Sequence, residues 1–315
     1  MTIIDAHSHL WLKQDTYVDG QRIYPLENGR AMFFGEERQM VPPFMTDGTN
    51  KAETFLSNMN YAQVGAAVVV QEVIDGNQNE YLAEVMERYP DRFFCCGMPE
   101  LGLGMEPGQD KEALSHLLSP DGIRNQIHEL HSKGFRGIAI PGHRIHQKIE
   151  ELIPAFKYME ENGMILSMCL DDNPVQIAQM KEAIEECPEL KVAIGHFGMV
   201  TQKHWMEQIR LAEAKNVMIE SGGITWLFNS EFYPFPSAVK AIMQAADEVG
   251  MEKLMWGSDY PRTITAITYR MSYDFVLKSK DLTEKDKALF LGENAARFYG
   301  FRNLPELPYI KNMSE

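Results

Sequence analysis

Three histidines and one aspartate stand where short apolar runs of this chain end. Asp5-Ala6-His7-Ser8-His9 closes a run that begins at Ile3, Gly195-His196 closes one that begins at Lys191, and Gly257-Ser258-Asp259 closes one that begins at Leu254. Residues two apart in an extended chain face the same side, so His7 and His9 should point together. Imidazole and carboxylate are common ligands of a catalytic divalent metal such as Zn²⁺ or Mn²⁺, and His7, His9, His196 and Asp259 are the candidate ligands. The same four groups can also work without metal, with Asp259 as a base and the histidines as donors to a carbonyl oxygen. A lone His-x-His arises often by chance. Its weight here comes from two further polar run ends far along the chain. The plainer alternative, unrelated buried histidines satisfied by backbone groups, would have to hold for all of them at once. No organic cofactor is expected.

Positioning such groups requires a scaffold whose strands all end on one rim. Eight candidate strands can be read: Ile3–His7, Ala66–Gln71, Phe93–Met98, Gly137–Ile140, Met164–Cys169, Lys191–Gly195, Val217–Glu220 and Leu254–Gly257. They are short, continuous and rich in Val, Ile and Met, as strands buried on both faces should be. Helical patterns fall between them, among them Asn79–Tyr89, Arg124–Lys133, Ile149–Asn162, Val175–Cys187, Gln202–Lys215, Ala238–Val249 and Glu284–Phe298. Gly and Pro mark the stops. Eight such units in series predict an α/β fold, a single-domain (β/α)8 TIM barrel whose strand C-termini form the active rim. A doubly wound open sheet fits less well, because no Gly-rich phosphate loop follows the first strand. Residues 11–50 and 99–122 read as long βα-loop insertions. The first is rich in aromatics and is expected to act as a lid or pocket wall. Residues 301–315 read as a C-terminal tail.

The balance of 30 Lys+Arg against 45 Asp+Glu, a formal charge of -15, argues against nucleic acid and against an anionic membrane surface. It leaves room for a small-molecule substrate, even an anionic one, because a few local arginines can reverse the sign inside a pocket. No basic, apolar leader opens the chain and no apolar run is long enough to span a bilayer, so a cytoplasmic protein is expected. The four cysteines, Cys95, Cys96, Cys169 and Cys187, suit neither a disulfide framework nor a CxxC motif. A homodimer is an expectation the residues do not demand.

Substrate-binding candidates come from the other strand ends. His143 and Arg144 follow the fourth strand, and Arg262 follows the eighth; an arginine offers a two-pronged fork for a carboxylate. Gln71 and Glu72 end the second strand, and Glu220-Ser221 end the seventh. Tyr24, Trp226 and Tyr260 are candidate apolar walls, while Asp171 and Asp172 read as a solvated turn before Pro174.

At this point a resemblance becomes specific. Ile4-Asp5-Ala6-His7-Ser8-His9-Leu10-Trp11, Gly195-His196-Phe197-Gly198, Trp256-Gly257-Ser258-Asp259-Tyr260-Pro261 and Gly292-Glu293-Asn294-Ala295-Ala296-Arg297-Phe298-Tyr299 resemble the amidohydrolase-2 family, from residue 3 to about residue 300. The resemblance implies a TIM-barrel metal-dependent hydrolase. The opening motif and Val68-Val69-Val70-Gln71 are similar to the lactonase branch, which holds 2-pyrone-4,6-dicarboxylate lactonase and sugar-lactone hydrolases. A sister branch holds non-oxidative decarboxylases that use a complete metal set. The chain departs from the family at the fifth strand, where Cys169 stands in place of a frequent histidine. That departure weakens the case for a tightly held metal and for decarboxylation, and it places Cys169 among the substrate-facing candidates. The reading is therefore a hydrolase that opens a lactone or small carboxylic ester with water activated by Asp259. Its alternatives are a metal-dependent decarboxylase of an aromatic or unsaturated acid, and a barrel that binds a small ligand without chemistry.

Overall fold

The computed structural model describes residues 1–108 and 111–313. Residues 109–110 of the 99–122 insertion and the last two residues of the 301–315 tail lie outside the described residues. Eight parallel strands pair in sequence order: Ile3–Ser8, Val64–Val69, Phe93–Gly97, Gly137–Ile140, Ile165–Met168, Lys191–Ile194, Val217–Glu220 and Leu254–Met255. The sheet closes on itself between the first and eighth strands. Ala6 N–H donates to Trp256 O at 2.8 Å, Asp259 N–H to His7 O at 2.9 Å, and Ser8 bridges Tyr260. The expected (β/α)8 barrel is present, with helices between the strands.

Side chains that alternate along buried strands sort into two layers. Ile4, Val68, Cys96, Ile165, Met218 and Met255 join one core together with Ala295, Phe298 and Tyr299 of the last helix. Val69, Ile138, Leu166, Val192 and Ile219 pack outward against helix residues such as Phe55, Ile127, Phe156 and Ile242. The second strand begins two residues earlier than its apolar run suggests, because Val64 pairs with Ile3 in register. Among the described residues, no helix is long and apolar enough to cross a membrane.

Residues 11–50 are more ordered than an irregular loop. Thr16–Val18, Gln21–Pro25, Arg30–Phe33 and Glu36–Gln39 form a four-stranded antiparallel sheet. Two-residue turns at Asp19-Gly20 and Phe34-Gly35, all four residues at positive φ, connect its outer pairs. That is the turn geometry whose twist matches a hairpin, and Asp-Gly is one of its strongest signals. The Trp11–Asn50 bridge pinches off the base of the insertion, and helix Ala52–Tyr61 then resumes the barrel.

Candidate active site

The register between the first and second strands is irregular between Asp5 and Ser8, the kind of local bend that re-aims a side chain. Asp5 pins this bend to the eighth strand end. Its Oδ1 accepts from His7 N and Ser258 N at 3.1 and 2.8 Å, and its Oδ2 from the hydroxyls of Ser258 and Tyr269 at 2.5 and 2.8 Å. His196 and Asp259 leave their strands with φ of 53° and 58°, uncommon values for side-chain-bearing residues that tend to gather at functional sites.

The result is a compact, buried cluster. His7 Nε2 lies 3.2 Å from His9 Nε2 and 3.8 Å from Asp259 Oδ1, and His9 Nε2 lies 2.9 Å from Asp259 Oδ1. Each imidazole is tied from behind through Nδ1. His7 Nδ1 meets Glu220 Oε1 at 2.7 Å, His9 Nδ1 donates to Val70 O at 3.1 Å, and His196 Nδ1 donates to Gly222 O at 2.8 Å. Carbonyl oxygens only accept, so His9 and His196 each carry a proton on Nδ1. Trp226 Nε1 donates to Asp259 Oδ2 at 2.7 Å.

These neighbours set the charges. Burial opposes ionisation of Asp259, but the His9 hydrogen bond and the nearby cationic groups, Arg262 among them, outweigh it and hold the carboxyl well below the usual range. Burial likewise pulls His7 down, yet the Glu220 carboxylate beside it wins and pushes it up to about 9. His196 is held below its ordinary value by burial and by the charge of His7. The Cys169 thiol is pushed up by burial and by surrounding carboxylates, so it stays neutral.

The donor set fits a divalent metal. Among the described residues, His7, His9 and Asp259 form a group whose ligand atoms all lie within 4.8 Å of one another. Two nitrogens on one tetrahedral zinc ion sit roughly 3.3 Å apart at zinc–nitrogen bonds of about 2.0 Å, close to the His7–His9 spacing. Two neutral imidazoles tied through Nδ1 would oppose Nε2 lone pairs here, and only a shared proton or a cation relieves that repulsion. His196, expected as a fourth ligand, is not part of that group; its Nδ1 tie to the Gly222 carbonyl holds the ring beside His7, centroids 4.6 Å apart.

Above this floor opens a cavity of about 830 Å³. His9, His196, Asp259, Cys169, His143, Arg144 and Arg262 all line it. Carboxylates brace the basic side chains there. Glu72 lies 3.3 Å from His143 Nε2 and 3.2 Å from Arg144 Nε, and Arg262 Nη2 donates to both oxygens of Asp75 at 2.7 and 2.9 Å. The small sheet supplies Phe33, Arg38, Gln39 and Met40 to the wall.

Several candidates take different roles from those expected. Gln71 spends its amide on Asn79, Cys96 O and Gln78 N, which fastens the second strand end. Arg262 lies over Trp11 and is braced by Asp75 through Nη2 alone, and its Nη1 is left without a partner. Glu220 is buried beneath His7 rather than facing the cavity. Tyr260 is stacked on Phe55 in the core and is no wall. Asp171 and Asp172 do line the cavity. Asp75 and the hydrogen-bonding role of Trp226 escape sequence reasoning, because their partners lie 187 and 33 residues away.

A closed parallel barrel with histidines and an aspartate gathered at its strand C-termini defines a class of barrel hydrolases. A family profile described as Amidohydrolase matches residues 4–301, and the chain belongs to this amidohydrolase family. Among solved structures, a probable 2-pyrone-4,6-dicarboxylic acid hydrolase from Acinetobacter baumannii with citric acid bound superposes with a TM-score of 0.66 at 18% identity, covering 96% of this chain and 100% of that one. An amidohydrolase from Burkholderia multivorans with bound zinc gives 0.66 at 15% identity, covering 97% and 100%. The 5-carboxyvanillate decarboxylase of Novosphingobium aromaticivorans, complexed with manganese and 4-hydroxy-3-methoxy-5-nitrobenzoic acid, gives 0.54 at 16%, covering 80% and 81%. At such identities the likeness is one of fold. No curated protein matches the chain.

Proposed function

We propose that the chain hydrolyses a lactone or a related small carboxylic ester with water activated at Asp259. The observation that carries this reading is the meeting of Asp259 with His9 and His7 on the floor of a large cavity. Asp259 is ionised at neutral pH and accepts the proton of the attacking water; Trp226 and His9 hold its two oxygens in place. A carboxylate held so far below neutrality is a weak base, which suits a substrate with a reactive carbonyl and a good leaving oxygen over an amide. His7, held through Nδ1 by Glu220, turns Nε2 toward His9 and Asp259 beneath the reacting carbonyl. Neutral His196 has already committed its Nδ1 proton to Gly222 and acts instead by shape, closing the floor beside Trp226.

An ion held by His7, His9 and Asp259 would polarise the carbonyl and lower the pKa of bound water toward about 7. The solved relatives with zinc, manganese and a pyrone-dicarboxylic acid hydrolase name support both the metal and the ester chemistry. On the wall, Arg144 and His143 orient the substrate while paired with Glu72.

The test is a panel of sugar lactones and pyrone carboxylates, run with and without chelator, with Asp259→Asn as control. Ring opening that disappears in the variant supports the reading. Opening that survives the substitution removes Asp259 from its role. Release of CO₂ from aromatic or unsaturated acids, with no lactone opened, replaces it with decarboxylation.

A further inference from the structure

We propose that Glu220 is the positioning residue of this site: from the end of the seventh strand it holds the His7 ring in one orientation, with the proton on Nδ1, and so presents Nε2 to His9 and Asp259. The inference rests on the reading of that floor as the reactive centre and adds the group that assembles it.

Both oxygens of Glu220 are committed, and each faces a donor. Oε1 lies 2.7 Å from His7 Nδ1 and accepts from His196 N at 3.2 Å; Oε2 accepts from Gly222 N at 2.6 Å. The side chain is 1% exposed, and among the described residues its ion-pair partner is His7. A carboxylate taken this far out of water persists only where it is paired and hydrogen-bonded, and here the pairing falls on one imidazole. The carboxylate therefore accepts, His7 Nδ1 donates, and the tautomer follows from that contact.

The surrounding backbone is cut to fit this pair. A Cβ on Gly195 would stand 2.8 Å from Glu220 Oε1. One on Gly222 would stand 2.7 Å from His7 Cγ and 2.9 Å from Glu220 Oε2. One on Gly257 would stand 2.6 Å from His7 Cβ and 3.0 Å from Glu220 Oε2. Glycines after the sixth, seventh and eighth strands thus leave room for one dyad, and any side chain there would displace it. Without the carboxylate the ring is free to flip or to move its proton to Nε2. Either change removes a nitrogen lone pair from the face shared with His9 and Asp259. Groups that fix the outer nitrogen of a metal-binding histidine act in this way, and their loss typically weakens metal binding about 10- to 100-fold.

Glu220→Gln tests the assignment, because an amide offers one acceptor and one donor where the structure supplies donors on both sides. The readout is the ring ¹⁵N–¹H spectrum of His7 in metal-free protein, which needs neither substrate nor ion. The native protein should show a hydrogen-bonded, slowly exchanging Nδ1 proton; in folded Glu220→Gln that signal should be lost. Calorimetric titration with zinc should show affinity lowered about 10- to 100-fold, with no further loss when the substitution is added to His7→Ala. Glu220→Asp keeps the charge but shortens the reach, and serves if the amide variant does not fold; its Nδ1 proton should exchange faster than in the native chain. A native ring spectrum in either folded variant overturns the proposal, as does native zinc affinity in Glu220→Gln. An intact His7 signal that responds to Glu220, in a protein that opens no lactone, would sink the reaction reading and leave the positioning role standing.

Discussion

On the cavity floor, His7, His9, Glu220 and Asp259 are each no more than 5% exposed, and their partners come from the barrel itself. On the wall, the side chains of His143 and Arg144 are 26% exposed and pair with Glu72, while Arg38 at the rim pairs with Glu36 in solvent. The floor is made of strand ends, whose spacing is dictated by sheet pairing. The wall is made of loops and an inserted sheet, which can change without disturbing the barrel. Under the proposed function, chemistry belongs to the floor and recognition to the wall, a division that substitutions placed on either side can break.

The largest effect should come from Asp259→Asn, which removes the acceptor for the water proton. Its kcat should fall about 10²- to 10⁴-fold in a steady-state lactone assay. Trp226→Phe should come next. It keeps an aromatic ring but frees Asp259 Oδ2 from its 2.7 Å hydrogen bond, so kcat should drop about tenfold with KM less affected. A KM effect with unchanged kcat would move Trp226 to the wall.

The smallest effect concerns stability and falls on the wall. Burial disfavours the charged form of Glu72, but the hydrogen bond and charge of His143, and the charges of Arg144 and Arg262, hold its carboxyl down to about 2, against an ordinary 4.5. A group lowered in the folded state contributes stability that is complete above the unfolded value and fades as pH falls through the folded one. Thermal unfolding followed from about pH 5 to about pH 2.5 should therefore show a steeper loss of Tm in the native protein than in Glu72→Gln. Gln retains an acceptor for the Val73 N–H that Glu72 Oε1 now receives at 2.8 Å. Parallel curves would mean that the Glu72 cluster contributes nothing to the fold.

The same contrast explains what could be read from the amino-acid order. Strands buried on both faces write themselves as apolar runs, and polar residues ending those runs stand out, so His7, His9, His196 and Asp259 were legible. The insertion was not, because its strands are short and half-exposed and its aromatic content reads as an irregular lid; the Asp19-Gly20 turn was the available signal. Partner choice was the least legible property. Gln71, Arg262 and Glu220 all present groups suited to a substrate, yet each is held by contacts made only after closure, with Arg262 keeping Nη1 unpartnered. Glu220 meets His7 across 213 residues, and Arg262 meets Asp75 across 187.

The central claim is that side chains from the first and last strands act as one reactive unit. A kinetic double-mutant cycle between His9 and Asp259, measured as kcat/KM for the best lactone of the panel, tests it most directly. If the two share one function, the double variant should be no slower than the slower single variant, within about threefold. If the two losses multiply, His9 and Asp259 work independently and the account of a single floor is contradicted.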